Sequence, residues 1–225
     1  MATPSVSIVI PTLNESSGIV NHLQVLKATI AEYNVEIILA DGGSHDDAVS
    51  LASPYVDHIV MSEKGRARQM NAGANVASGE YVLFLHCDTV LPSYPFVFLS
   101  QRCVWGFYSV RLSGRHWLLR VIERMMTLRS SITRVATGDQ CLFINRLHFA
   151  QMNGFADIPL MEDVEISKKL RRHSPPYIVS TPVVTSSRRW EQYGIFKTVV
   201  TMWYLRALYF LGVSPTILVK KYYRS

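Results

Sequence analysis

Val6-Ser7-Ile8-Val9-Ile10-Pro11-Thr12-Leu13-Asn14-Glu15 opens the chain with a β-branched run that stops at a proline. A short apolar run bounded in this way reads as a buried strand that ends in a loop. The same unit recurs downstream. Residues 18–31 have helical spacing, with Val20, Leu23, Leu26 and Ile30 on one side. Residues 35–40 read as a second buried strand, closed by Asp41-Gly42-Gly43. A helix over 46–53, a short strand over 58–61, a helix over 65–77 and a strand over 81–85 follow. Strands and helices alternating at this spacing specify an α/β fold with a doubly wound, mainly parallel sheet flanked by helices. Beyond residue 100 the pattern loosens to a strand over 106–112, a helix over 117–128, a strand over 141–145 and a helix over 164–172. The simplest organisation is one domain over 1–191, with halves 1–101 and 102–191, followed by a helical extension over 192–225.

The chain has 225 residues, 48% apolar and 18% charged, with a net charge of +6. That composition supplies a sizeable core and excludes a disordered or collagen-like chain. Charge is distributed unevenly. Residues 1–101 hold 4 basic and 10 acidic side chains (−6), residues 102–146 hold 8 and 2 (+6), 147–187 hold 4 and 4, and 188–225 hold 7 and 1 (+6). An acidic half joined to a basic half argues against a nucleic-acid coat and for two different partners. Cys87, Cys103 and Cys141 are odd in number and lack CxxC spacing, which suits a reducing cytoplasm. The N-terminus has no basic segment ahead of its apolar run, so no signal peptide is expected.

Each polar cluster suited to chemistry follows a strand, where doubly wound sheets bind ligands. Asp41, at a strand end beside two glycines, suits hydrogen bonding to a ribose or base. The alternative reading, a glycine turn with an N-cap, accounts for Asp46 but does not require Asp41. In Phe84-Leu85-His86-Cys87-Asp88-Thr89 a carboxylate follows an apolar strand, and one hard carboxylate is enough to anchor a divalent ion whose other ligands are diphosphate oxygens and water. Glu162-Asp163-Val164-Glu165 opens a helix, where the helix dipole alone would favour acids.

Together, Ile8 to Glu15, Asp41-Gly42-Gly43-Ser44 and Phe84 to Thr89 resemble the nucleotide-sugar half of family 2 glycosyltransferases, and Gly138-Asp139-Gln140, Gly154-Phe155 and Glu162-Asp163 extend the likeness over most of the chain. Gly65-Arg66-Ala67-Arg68-Gln69-Met70-Asn71 and Gly138-Asp139-Gln140 take the form carried by the subgroup named for arsenosugar biosynthesis. The resemblance implies a GT-A fold and an inverting hexosyltransferase that uses a nucleotide-diphosphate sugar, UDP-linked in many relatives, with Mg²⁺ or Mn²⁺ and an unidentified acceptor hydroxyl. It implies that Pro11, Leu13 and Glu15 line the nucleoside pocket, that Asp41 contacts the base, and that Arg66 or Arg68 meets a phosphate. Asp88 would bind the metal, with His86 as a further ligand, and Asp163 would be the catalytic base. Asp139, Glu162 and Trp190 would border the acceptor. The sequence departs from the family at His86, where an Asp is usual, at Met70, where an Arg is usual, and at Ser186 of Ser186-Ser187-Arg188-Arg189-Trp190, the Gln position of processive synthases. Arg188 and Arg189 are further phosphate candidates.

In the C-terminal extension Phe196, Val199, Val200, Trp203, Ala207, Phe210 and Leu211 recur at helical spacing, and Lys197 and Arg206 interrupt the run. Two readings are open: packing against the domain or a second copy, and contact with an anionic membrane surface helped by Lys220, Lys221 and Arg224. Two alternatives to a transferase also stand. A nucleotidyltransferase would carry a glycine-rich basic loop after the first strand, which Pro11 to Glu15 lacks; a non-catalytic sugar-nucleotide-binding protein is kept open by His86.

Overall fold

A computed structural model describes residues 3–224, with the side chains of Arg189, Tyr223 and Arg224 outside the described residues. The strands are β1 (Val6–Thr12), β2 (Val35–Asp41), β3 (His58–Met61), β4 (Tyr81–Phe84), β5 (Thr89–Val90), β6 (Trp105–Leu112), β7 (Phe143–Asn145) and β8 (Tyr177–Thr185). The helices are α1 (Ile19–Ile30), α2 (Ala48–Ala52), α3 (Arg66–Val76), α4 (Trp117–Thr133), α5 (Arg146–Gln151), α6 (Glu162–His173), α7 (Arg188–Tyr193), α8 (Ile195–Phe210) and α9 (Pro215–Arg224). They build one eight-stranded sheet in the order β3-β2-β1-β4-β7-β6-β8-β5.

Strands β3, β2, β1 and β4 are parallel, whereas β7 is antiparallel to both β4 and β6. β8 then runs parallel to β6, and the two-residue β5 closes the edge antiparallel to β8. Alternation along β1 sends Val6, Ile8 and Ile10 to one core, with Leu23 and Leu26 of α1. Val9 enters the opposite core, with Ala67, Met70 and Ala74 of α3. The sheet is therefore buried on both faces, as parallel strands of continuous apolar sequence require. Met70, the position where an arginine was the family expectation, fills this core and carries no polar role.

Several expected boundaries are corrected. β1 does not stop at Pro11 but continues to Thr12, because β1 pairs with β4 only as far as Val9 and the proline lies beyond that ladder. α4 runs on past residue 128 to Thr133 and ends at Arg134 in a left-handed conformation. α6 begins at Glu162 rather than Val164. β5, β8, α5 and α7 have no counterpart in the pattern reading. β8 contains Pro182 and bulges there: Tyr108 and Val110 of β6 pair with Val179 and Val183, so two steps match four.

Candidate functional site

The carboxyl ends of β1, β2 and β4 lie side by side, and the loops that follow them interlock. The Asn14 amide donates to Ser44 Oγ (2.9 Å), Asn14 Oδ1 accepts from the His45 amide (2.9 Å), and Asp46 Oδ2 accepts from the Ser16 amide (2.9 Å). Gln69 reaches from α3 and donates through Nε2 to the carbonyls of Thr12 (2.7 Å) and Ala40 (3.0 Å), tying the ends of β1 and β2 together. Pro11, Leu13 and Glu15 are half-buried along this rim.

Asp41 is held from within the loop it opens. Its side chain is fully buried, Oδ2 accepts from the amides of Gly43 (2.9 Å) and Ser44 (2.8 Å), and Oδ1 accepts from the Ser44 hydroxyl. These three bonds shape the loop that follows β2, and Oδ1 keeps an acceptor site beyond the one given to Ser44.

At the end of β4, Asp88 is exposed, while Cys87 turns inward with its thiol 3.6 Å from the Pro11 carbonyl. The hydroxyl of Thr89 donates to that of Thr185 (3.0 Å), joining the Asp88 loop to the strand that leads into Arg188. Burial, and then the charge of Asp88, raise the Glu15 carboxyl above its ordinary range, with Arg188 opposing. Glu15, Asp88 and Arg188 therefore share one electrostatic neighbourhood.

The opposite wall comes from the second half of the chain. Gly138–Gln140 forms a tight turn with a reciprocal cap between Thr137 and Gln140, and the buried Gln140 Oε1 accepts from Ser130 Oγ (2.8 Å). A Cβ on Gly138 would lie 2.8 Å from His86 Nε2 and 3.8 Å from Arg66 Nη1, so the glycine lets this turn close on both. Burial and the neighbouring Arg66 push His86 down to about 3, leaving a neutral imidazole at ordinary pH. Asp163 Oδ2 accepts from the Gly138 amide (2.8 Å) and Oδ1 from the Val164 amide (2.7 Å), which fixes its carboxylate. Burial raises Asp163, and these two bonds, Arg66 and Arg129 oppose the rise. Glu162 is buried, and burial with the charge of Asp163 pushes it up to about 7 against the pull of Arg66. A helix dipole does not explain a buried acid held this high.

Arg66 and Asp139 are both reached by solvent, yet burial is the largest influence on each. Side chains that are accessible while enclosed by protein line the floor of a crevice. Burial lowers Arg66, but Glu162, Asp139, Tyr222 and Asp163 outweigh it and hold the guanidinium charged. Burial raises Asp139, with Arg66 opposing and the charges of Asp88 and Asp163 adding to the rise. The structure thus gathers Arg66, His86, Asp88, Asp139, Glu162 and Asp163 at one place.

Two expected members stand apart. Arg68 points away from the crevice and is ion-paired with Glu63 and Asp157 (2.8 Å to the latter), which corrects its assignment to a phosphate. Trp190 packs with Leu112, Leu119 and Ile122 under α4, so its ring serves a small apolar cluster. The Arg189 side chain lies outside the described residues. Motif reading missed Arg129, which donates to Ser130 Oγ (2.7 Å) and whose charge acts on Asp163 and Asp139. It also missed Asn71, which exchanges two 2.9 Å hydrogen bonds with the backbone of Phe155 and sets the loop ahead of α6. No motif marks Arg129; Asn71 lies in the quoted Gly65–Asn71 string.

Among the described residues, no three His, Cys, Asp or Glu side chains form a metal-holding group. Asp88 offers one exposed hard carboxylate, and the acids Glu15 and Asp139 feel its charge. This donor set fits a divalent ion held by one carboxylate together with oxygens of a bound ligand and water.

Residues 7–94 match the family described as glycosyl transferase family 2. A PGL/p-HBAD biosynthesis glycosyltransferase of Mycobacterium tuberculosis is 31% identical over 99 residues, 40% of this chain and 38% of that protein. The chain thus matches well under half the length of this curated relative. Among solved structures, a mannosyltransferase of Pyrobaculum calidifontis in complex with GDP-Man and Mn²⁺ superposes with a TM-score of 0.62 at 20% identity, covering 83% of this chain and 57% of that one. Glucosyl-3-phosphoglycerate synthase of M. tuberculosis, solved with Mn²⁺, UDP and glucosyl-3-phosphoglycerate, gives 0.55 at 18% identity, covering 81% and 70%. The fold is of the GT-A type, a mainly parallel sheet flanked by helices with further helices at the C-terminus.

Proposed function

We propose that the chain transfers a sugar from a nucleotide-diphosphate donor to an acceptor hydroxyl. The observation that carries this reading is the pairing across one crevice of Asp88, at the end of β4, with Asp163, locked by the amides of Gly138 and Val164. The match over residues 7–94 and the nucleotide-bound neighbours support a donor beside β1, β2 and β4. Pro11, Leu13 and Glu15 line the nucleoside side, and Arg66 faces the diphosphate.

In the proposed reaction the acceptor oxygen attacks the anomeric carbon as its proton passes to an Asp163 oxygen. The bond to the diphosphate breaks, its electron pair leaving with the nucleotide, and direct displacement inverts the anomeric carbon. A carboxylate lifted by burial suits this task, since a base works best with a pKa near the operating pH. Asp88 would hold a divalent ion, which offsets charge on the departing diphosphate. Asp139 and Glu162 border the acceptor. A UDP-linked hexose and the arsenosugar-type subgroup are the finer assignments proposed, the latter on the strings Gly65–Asn71 and Gly138–Gln140. The three free thiols suit a cytoplasmic setting.

A second reading, a non-catalytic sugar-nucleotide-binding protein, is favoured by one observation: a neutral His86 stands where the family carries a carboxylate. A thermal-shift panel of nucleoside diphosphates with and without Mg²⁺ or Mn²⁺ tests the donor site. Stabilisation by at least one nucleotide, larger with metal, is expected; no stabilisation by any of them overturns both readings.

A further inference from the structure

Two neighbouring helices on the basic side of the molecule expose apolar stripes. Along α4, Trp117, Val121, Met125, Leu128 and Ile132 are all exposed, Trp117 at 68% and Ile132 at 73%. Their spacing confines them to an arc of about 80° at ~100° per residue, opposite the buried Leu119 and Ile122. On α8, Phe196 (81% exposed), Val200, Trp203 (62%) and Phe210 repeat the arrangement. The two helices touch through Leu119, Ile122 and Met126 on one side and Ile195 and Val199 on the other, so the stripes belong to adjacent elements. Aliphatic and aromatic surface in two continuous rows is more than single scattered hydrophobics leave on a folded protein.

The chemistry bordering these rows selects the occupant. Residues 111–134 hold six arginines and one acid, Glu123, which is ion-paired with Arg120 (3.0 Å); Arg129 turns to the crevice, which leaves Arg111, Arg115, Arg124 and Arg134 exposed. Residues 195–224 hold five Lys or Arg and no acid. Two cations lie over aromatic rings of this extension: Lys168 Nζ is 5.4 Å from the Tyr209 ring, and Lys221 Nζ is 5.2 Å from that of Tyr204. A twofold-symmetric dimer would set this face against itself and bring arginine against arginine. An anionic lipid headgroup layer over hydrocarbon matches both the charge and the apolar rows. Among the described residues no helix is long and apolar enough to cross a bilayer, so the helices would lie on its surface.

We propose that α4 and α8 form a monotopic platform that binds an anionic bilayer. Flotation with vesicles of phosphatidylcholine, or of phosphatidylcholine with phosphatidylglycerol, tests it on the full chain, with no donor present. The intact chain is expected to float with the anionic vesicles, less so with neutral ones and less so in high salt. Leu128→Asp with Ile132→Asp on α4, and separately Phe196→Asp with Trp203→Asp on α8, should each weaken binding by about tenfold or more, with circular dichroism and Tm unchanged because all four residues are exposed. Absence of flotation, equal flotation with neutral vesicles, or variants that bind like the parent would each overturn the platform. A stable dimer that these variants dissociate, without vesicle binding, would assign the face to a second copy instead. Nucleotide binding by the same samples is read independently, so loss of the platform and loss of the donor site are distinguishable.

Discussion

Residues 1–101 and 102–225 contribute to the same crevice on opposite plans. The first part is built mainly of parallel strand–helix units and has a charge of −6; the second joins β4 through the antiparallel β7, with β6 and β8 beyond it, and carries +12. At the crevice the signs mix. The acidic part lends Arg66, one of its four basic residues, and the basic part lends Asp139, Glu162 and Asp163, three of its seven acids. Asp88 of the first part and Arg129 of the second stand beside them, so the site mixes both signs from both parts. In the proposed division, the first part holds the donor and the second part supplies the base.

The strongest way to break that division is Asp163→Asn. Turnover should fall about 10²–10⁴-fold, while nucleotide affinity stays within about twofold of the parent, because the Asp163 hydrogen bonds all lie in the second part and Glu162 and Asp139 still hold Arg66 charged. If affinity fell with turnover, the two parts would not be separable.

A stability effect of about 2 kcal/mol is expected from His22, in the first part, whose buried Nε2 has no partner and whose pKa burial lowers to about 4. The unfolded chain takes up a proton near 6.5 and the folded one only near 4. Stability is thus lost as pH falls from 6.5 towards 4, by about 2 kcal/mol at pH 5. His86 has the same sign, while Glu162, raised to about 7, contributes stability at low pH that is lost as pH rises through 7. In His22→Leu the difference in unfolding free energy between pH 7 and pH 5 should shrink by that amount; an unchanged difference would contradict the neutral burial of His22.

Gly73→Ala probes the tight packing of α3 on β1, since its Cβ would stand 2.4 Å from Val9 Cγ1. A loss of about 1–3 kcal/mol is expected, seen as a Tm lowered by about 2–4 °C per kcal/mol. Smallest is Asp88→Asn, for which metal-dependent nucleotide affinity should weaken about tenfold, or about 1.4 kcal/mol, with metal-free affinity unchanged. Equal affinity with metal for parent and variant would remove Asp88 from the metal site.

The same contrast explains what pattern reading reached. β1, β2, β3 and β4 lie within two residues of their expected positions, because each is a short, largely apolar run bounded by turn residues. β8 escaped because Ser180, Thr181 and Pro182 interrupt its apolar run. At the site, Asp88, Asp139 and Asp163 were legible as carboxylates after strands or at a helix start. The bonds by which Asp41 shapes its own loop were not, since local sequence does not say which backbone amides a carboxylate meets. Arg129 stands amid other arginines of α4, and only the fold singles it out. Trp190 was suited to a cleft by residue type, and packing under α4 claims it instead.

Release of nucleoside diphosphate from UDP-, GDP- and dTDP-sugars by the intact chain with Mn²⁺ tests the central claim most directly. The account predicts release from at least one donor at a rate that Asp163→Asn lowers about 10²–10⁴-fold. Donor binding without release from any of them, in parent and variant alike, would contradict it and leave a binding protein in place of an enzyme.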